Sequence, residues 1–324
     1  MSTHDLTREL LVRYLDTWTP MALHRARRAT FVQAWAASAD APAAEAALRV
    51  FGEFADRMRG RRLAMVVVAT DAVALSGRLQ AVQVALGTPP DLAVHPVPGP
   101  GAALLPAALA AAGAAGAPLL VYLDTVDGRA DETADDTANR TGHRTPFDAV
   151  AVGRPAELLL LSADRDWPEH RRALHAAGFE LTAGVHLVGE DGTERLLAFA
   201  TGSMKSLEAF KNALWAVDEY AGVRYRDPSD PEGHLLDVSL SPHPGPLRRE
   251  LLSHLGAAGG CSVTDLRRFT LTETVYRASD TLGALSALLA AGTVMRRPER
   301  GRLAGDVVIT ATGSAGSRSR DTTT

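Results

Sequence analysis

Phe31-Val32-Gln33-Ala34-Trp35-Ala36-Ala37-Ser38-Ala39-Asp40 is a short apolar run that ends in small residues just before an alanine-rich helical stretch. A run of that kind reads as a buried strand feeding a helix, and the chain then repeats the pattern. Residues 63–69 are continuously apolar, as suits a strand covered on both faces. Runs at 92–97 and 119–124 follow, separated by helical stretches at 41–59, 71–86 and 102–112. Strand alternating with helix predicts a doubly wound, mostly parallel α/β sheet. The turn after Trp35 has no glycine and no carboxylate before Asp40. A loop that closes over a nucleotide needs glycines, because a Cβ blocks close backbone approach and the tight turn needs conformational freedom. Ala36, Ala37 and Ser38 stand there instead, so the fold is readable while its chemistry is in question.

Upstream, Leu6, Leu10, Leu11, Tyr14, Leu15 and Trp18 recur at helical spacing, with Asp5 as the expected cap. Downstream of Asp124, the stretch to residue 145 is acidic, lacks apolar period and reads as a surface loop. A short helix at 147–153, a strand at 157–162 and a helix at 168–177 come next, and 181–188 with 194–201 alternate as an antiparallel pair around Glu190-Asp191-Gly192. A helix at 203–217 points Leu207, Phe210, Leu214 and Val217 inward. This makes an α/β domain over 1–227, followed by a proline-rich linker over 228–246. Helices at 247–255, 262–268 and 281–291, with strands at 293–297 and 305–310, predict a C-terminal winged helix-turn-helix domain over 247–312. Residues 313–324 are polar and read as a disordered tail.

A chain of 324 residues is long enough for more than one core. Net charge −4, 46% apolar and 22% charged residues are ordinary for a globular protein. The long apolar run at 101–121 is broken by Pro106, Gly113, Gly116 and Pro118, which argues for a helix plus a strand rather than a membrane span. His4, Asp5, Arg8 and Glu9 leave no apolar signal core, so a cytoplasmic location is the expectation. One cysteine, Cys261, excludes an internal disulfide framework and any thiolate metal cluster supplied by this chain alone. It follows two glycines at an expected helix start, where a thiol pKa can fall, although a small buried or capping role suits it better. The histidines lack metal-ligand spacing, and Ser162 and Ser203 lie in no nucleophile elbow. Gly99-Pro100-Gly101 is a turn too short to cradle a phosphate.

Three further stretches carry a family resemblance: Leu10-Leu11-Val12-Arg13-Tyr14-Leu15-Asp16-Thr17-Trp18, the block from Ala200 through Met204-Lys205 to Phe210-Lys211-Asn212-Ala213-Leu214-Trp215, and Val263-Thr264-Asp265-Leu266-Arg267-Arg268-Phe269 with Leu271-Thr272-Glu273-Thr274. On these the chain resembles the three-Cys-motif partner family, whose members look like Rossmann-type (class I) S-adenosylmethionine methyltransferases with a C-terminal winged helix. The resemblance implies a protein partner, a radical-enzyme-like protein bearing a three-cysteine motif. It also implies where the cofactor would lie: at Gln33, Ala36 and Ser38 after the first strand, and at Asp71 after the second. Where the family tends to read Asp-x-Phe-Ala-Gly-x-Gly, this chain reads Gln33-Ala34-Trp35-Ala36-Ala37-Ser38-Ala39, and where the family ends its second strand in a glutamate this chain has Ala69 and Thr70. Losing a ribose acceptor and a close-approach glycine costs roughly 1–3 kcal/mol each, together on the order of a hundredfold in affinity. S-adenosylmethionine binding is therefore expected to be weakened or lost, leaving a partner or regulatory subunit; the alternatives are an active methyltransferase with an atypical pocket and a winged-helix DNA-binding regulator.

Asp124 reads either as an acid that positions cofactor or acceptor at the carboxyl edge of the sheet, and so as the catalytic candidate, or as an exposed turn acid. Asp71 reads as a displaced ribose ligand or as a helix cap, and Asp40 as a cap. From residue 247 onward eleven arginines face seven acids, which makes the C-terminal part basic. Arg267 and Arg268 on the second helix of that part, with Arg296 and Arg297 in the wing, are candidate contacts for a partner or for phosphates. The expected recognition helix at 281–291 has no Arg, Lys, Asn or Gln, so nucleic-acid contact through it would be sequence-nonspecific.

Overall fold

The computed structural model describes residues 2–126, 145–217, 223–230, 232–237, 239 and 243–312. The acidic stretch 127–144 and the tail at 313–324 lie outside the described residues. The chain divides into two compact units, Met1–Leu240 and Ser241–Thr324.

The first unit opens on α1 (Thr3–Arg25), whose Leu6, Leu10, Tyr14 and Trp18 form a buried stripe. Ser2 is the cap, exchanging hydrogen bonds with Asp5 inside the first turn, so Asp5 is the distal half of a capping box rather than the cap expected. Then come β1 (Arg28–Trp35), α2 (Ala41–Glu53), a 3-10 turn (Ala55–Met58), β2 (Arg62–Ala69), α3 (Ala72–Ala85), β3 (Leu92–Pro98), α4 (Gly101–Ala111) and β4 (Leu119–Asp124). After these, α5 (Pro146–Val150), β5 (Ala156–Ser162), α6 (Trp167–Ala176), β6 (Leu181–Val188), β7 (Glu194–Thr201) and α7 (Met204–Leu214) complete the part foreseen. Two short strands, β8 (Arg224–Arg226) and β9 (Leu235–Asp237), were not foreseen. The segment 228–246 expected as a linker thus holds β9, paired antiparallel with β8, because a three-residue strand is too short to show alternation.

Among the described residues the sheet runs β3-β2-β1-β4-β5-β7-β6-β8-β9. Strands β1 to β5 are parallel, and β7 returns antiparallel beside β5. The order reverses between β1 and β4, and in open α/β sheets the crevice beyond the carboxyl ends at such a reversal is where ligands bind. Val32 and Ala34 of β1 join Val66, Val68, Val121, Leu158 and Leu160 in a core that also holds Leu105 and Leu109 of α4, Val150 of α5 and Leu174 of α6. Phe31, on the opposite face, meets Trp18 of α1 and Phe51 of α2 at ring distances of 6.4 and 5.4 Å. Strand alternation puts Gln33 and Trp35 on that same face. Farther along, Phe199 of β7 stacks on Phe210 of α7 at 4.4 Å. At one margin of the sheet, β3 carries Pro96 and Pro98 opposite Val67 and Ala69 of β2.

Gly101, the first residue of α4, is where helix and strand touch most closely. A Cβ there would fall 2.7 Å from the main-chain N and O of Trp35. Backbone cannot swing aside as a side-chain tip can, so Gly101→Ala should overpack this contact and destabilise the protein by about 1–3 kcal/mol. Urea titration of the two proteins measures this directly, and an unchanged midpoint would show that α4 has room to shift.

The second unit holds α8 (Gly245–Ala258), β10 (Gly260–Ser262), α9 (Val263–Glu273), α10 (Asp280–Ala290), β11 (Val294–Arg297) and β12 (Val308–Ala311), its strands ordered β10-β12-β11 and antiparallel. Leu251, Leu255, Leu266, Leu285 and Ile309 are fully buried in it. The sequence suggested two strands; β10 is a third, again three residues long. Cys261 lies on β10 opposite Ile309 rather than at a helix start, and burial followed by the charge of Asp265 pushes its thiol pKa up, not down.

Candidate functional site

Beyond the carboxyl ends of β1 and β4 lies an open cleft of about 310 Å³, walled by Trp35 and the loop Ala36–Asp40, with Asp124 and His4 completing it. The elements deliver these residues for simple reasons. β1 ends at Trp35 and β4 at Asp124, paired in register, and α1 runs back against β1 so that its first turn brings His4 to the same edge. Trp35 is only 3% exposed and packs edge-on to Tyr122 at 6.1 Å, so it forms a wall of the cleft and leaves the cleft open.

The loop is held by internal bonds on both sides. The Ala36 N–H donates to the Asp124 carbonyl at 2.9 Å, and the Thr70 N–H donates to the Ala37 carbonyl at 3.0 Å. The Ala39 N–H donates to the Asp71 carboxylate at 2.8 Å. Asp71 makes no side-chain cap on α3, so its carboxylate serves as a brace for the first crossover. Asp40 does cap α2, accepting from the Ala43 N–H at 3.0 Å.

Asp124 is 5% exposed, so the exposed-turn reading of this acid is wrong. Its carboxylate accepts from the Tyr122 hydroxyl and from the Val126 N–H, each at 3.0 Å, and His4 Nδ1 stands 3.9 Å away. Burial, then the charge of Asp124, holds the Tyr122 phenol protonated far above its ordinary pKa, so Tyr122 acts as a permanent donor. With Asp40 and Asp124 both in its wall, the cleft disfavours an anionic group.

The cleft therefore gathers Ala36, Ser38 and Asp124 of the sequence candidates. Gln33 and Asp71 do not line it. Gln33 is completely buried in β1, and neither of its amide atoms has a hydrogen-bond partner among the described residues. His4 was missed; an isolated histidine in the first turn of an N-terminal helix offers no sequence signal until the fold brings it to Asp124.

In the second unit, Arg267 and Arg268 are exposed on α9 and Arg297 is exposed on β11. Arg296 differs. Its guanidinium donates to the carbonyls of Pro298, Gly301 and Arg302 at 2.9, 2.8 and 3.1 Å, clamping the turn that follows β11. Its planar fork is committed to main chain instead of being presented to a partner.

No family model and no curated protein matches the chain. Among solved structures, the N-terminal domain of human METTL16 in complex with SAH is 9% identical, over 60% of this chain and 70% of that one, at a TM-score of 0.34. A human methyltransferase 10 domain containing protein is 8% identical, over 60% and 83%, at 0.33. An uncharacterized protein from Listeria monocytogenes serotype 4b is 10% identical, over 84% and 98%, at 0.31. Likeness at that level assigns no activity. The sheet itself, parallel through β3-β2-β1-β4-β5 and closed by a reversed strand, is a mostly parallel α/β sheet. Among the described residues no helix is long and apolar enough to cross a membrane.

Proposed function

We propose that the first unit is a methyltransferase-type scaffold whose cofactor edge has turned to internal bonding, and that the chain works as a partner or regulatory subunit rather than as a self-sufficient methyltransferase. The observation that carries this is the bond from the Ala39 N–H to Asp71. The acid nearest the end of β2, where a ribose diol would be gripped, braces the loop instead, and Ala69 beside it offers no acceptor. Ala36 and Ala39 direct their N–H groups into the fold, and no glycine in the loop admits a nucleotide closely. The residues present do not fit S-adenosylmethionine. Calorimetry with the purified chain is expected to detect no binding at micromolar cofactor; a micromolar Kd overturns the reading.

A second reading, an active methyltransferase with an atypical pocket, draws on the open cleft and its pair of carboxylates, which suit a cationic ligand. On that reading Asp124 is indispensable to cofactor binding. The second unit fits a winged helix in its order of helix, strand, two helices and two strands. Its α10 presents Gly283, Ser286 and Ala290 outward, without side chains that read base edges, which favours docking to a protein over sequence-specific DNA binding. The protein partner suggested by the family resemblance, one bearing a three-cysteine motif, would supply the sulfur ligands that a chain with one cysteine lacks.

A further inference from the structure

We propose that the opposite end of the sheet in the first unit is a separate binding surface, a concave arginine groove that holds the phosphodiester backbone of a nucleic acid. Two stretches distant in sequence meet there. Arg25-Ala26-Arg27-Arg28 leaves α1 and enters β1, and Arg57-Met58-Arg59-Gly60-Arg61-Arg62 runs from the 3-10 turn into β2. Parallel pairing sets Arg28 directly beside Arg62, and the Arg62 N–H donates to the Arg27 carbonyl at 2.7 Å. A hollow of about 480 Å³ opens between the end of α1, at Leu23 and His24, and Arg57, Arg59 and Arg61, with Asp56 also in its wall.

These segments hold seven arginines and no acid; the acids nearest them in sequence are Glu53 and Asp56, just before the second. Among the described residues the acid pairing here is Asp56 with Arg59 at 3.1 Å, with both side chains 85% or more exposed, so water screens it. Arg28 and Arg62 share the sheet face of Val32 and Val66, where Arg28 reaches the Ala115 carbonyl at 3.0 Å, so they flank the hollow rather than line it, each with the other cation as its neighbour in register. Like charges set side by side across strands destabilise a sheet, and a one-sign cluster repels itself. A polyanion relieves that repulsion, and the planar guanidinium fork matches phosphate oxygens.

The surroundings favour nucleic acid over other polyanions. A protein interface is organised around apolar anchors. Here Leu23 and Met58 are buried, and the exposed large apolar side chains of this unit, Val73, Val84, Met204 and Leu235, lie on other elements. A membrane surface asks for apolar side chains that insert, and this one offers none. Polar, strongly basic surfaces are typical of nucleic-acid interfaces. The two segments contain no Asn or Gln to read adenine edges, and their arginine forks suit phosphate oxygens, so the grip is argued on the backbone. The eight residues of β1 put the groove about 25 Å from the cleft, so this surface is independent of cofactor binding.

Fluorescence anisotropy tests the proposal with the full chain and labelled 20-nucleotide oligouridylate, oligothymidylate and a 20-base-pair DNA duplex, between 50 and 200 mM KCl. Binding to at least one probe is expected, with affinity falling steeply as salt rises. The R57E/R59E/R61E variant should bind at least about tenfold more weakly, with a salt slope smaller by about 2 to 3. R27E/R62E, at two exposed flanking arginines, should act in the same direction, which keeps the test alive if the triple variant does not fold. R172E, at an exposed arginine of α6 away from the groove, should leave the slope unchanged. The relative affinities of the three probes identify RNA, single-stranded DNA or duplex as the ligand. Absence of binding at 50 mM KCl overturns the proposal, as does equal affinity in the folded reversal variants. Equal or tighter binding to polyglutamate, or to phosphatidylserine vesicles, overturns it in favour of an acidic protein or a membrane.

Discussion

Asp124→Ala is expected to lower stability by about 3 kcal/mol, whatever it does to ligand binding. The substitution strips a buried carboxylate from two donors, the Tyr122 hydroxyl and the Val126 N–H. A buried donor left without an acceptor costs about 1–3 kcal/mol, and bonds to a charged acceptor stand at the upper end. The midpoint of thermal unfolding should fall by roughly 6–12 °C for a unit of this size. Tyr122→Phe removes one of the donors in advance, so Asp124→Ala in that background should cost visibly less; strict additivity of the two would show that the pair is not coupled. This bears on function. A loss of binding in Asp124→Ala supports an active pocket only if the variant is still folded at the assay temperature, so Asp124→Asn, which keeps the shape and one acceptor, is the sounder probe.

The second large effect is expected at the other end of the sheet. Glu157, at the start of β5, is 1% exposed and accepts from the Tyr14 hydroxyl at 2.5 Å and the Ser206 hydroxyl at 2.6 Å, tying α1 and α7 to the sheet. Burial raises its pKa above the ordinary 4.5, against the opposing pull of Ser206, Tyr14 and the charge of Arg25. A carboxyl with a raised folded pKa contributes its full stability below 4.5 and loses it as pH climbs through the folded value. Tyr14→Phe combined with Ser206→Ala removes both donors to the ionised form, so its folded pKa should rise further. The stability gap between wild type and this variant should therefore widen from pH 5 to pH 8, reaching about 3 kcal/mol or more. Glu157→Gln cannot ionise and should flatten the pH dependence of stability over that interval. Urea titrations at the two pH values measure both, and a gap that narrows with pH would mean that the carboxyl is not the titrating group.

The parallel core was legible in the sequence because its strands are buried on both faces and read as unbroken apolar runs; β4 ends at Asp124, where the run ends. Length set the limit for β8, β9 and β10, three residues each, which show no alternation to detect. Periodicity also cannot say where a polar side chain finishes. Asp71 stands at the right place for a cap and bonds across the loop instead, and Asp124 ends its strand like a surface acid yet is enclosed by Tyr122. The charge asymmetry read along the chain pointed to the C-terminal part. The denser cluster was hidden because its two halves, near residues 27 and 60, are divided by a helix and meet only when β1 pairs with β2.

Pro96 and Pro98 have a consequence for assembly. The Gly99 amide bonds inward to Ala69, so the alternate amides, at positions 96 and 98, would face away from β2. Both are prolines and have no hydrogen to offer. A further chain laid along this margin would find gaps where its carbonyls need donors, and that denies this side of the sheet the edge-to-edge stacking by which unprotected sheets grow into fibrils.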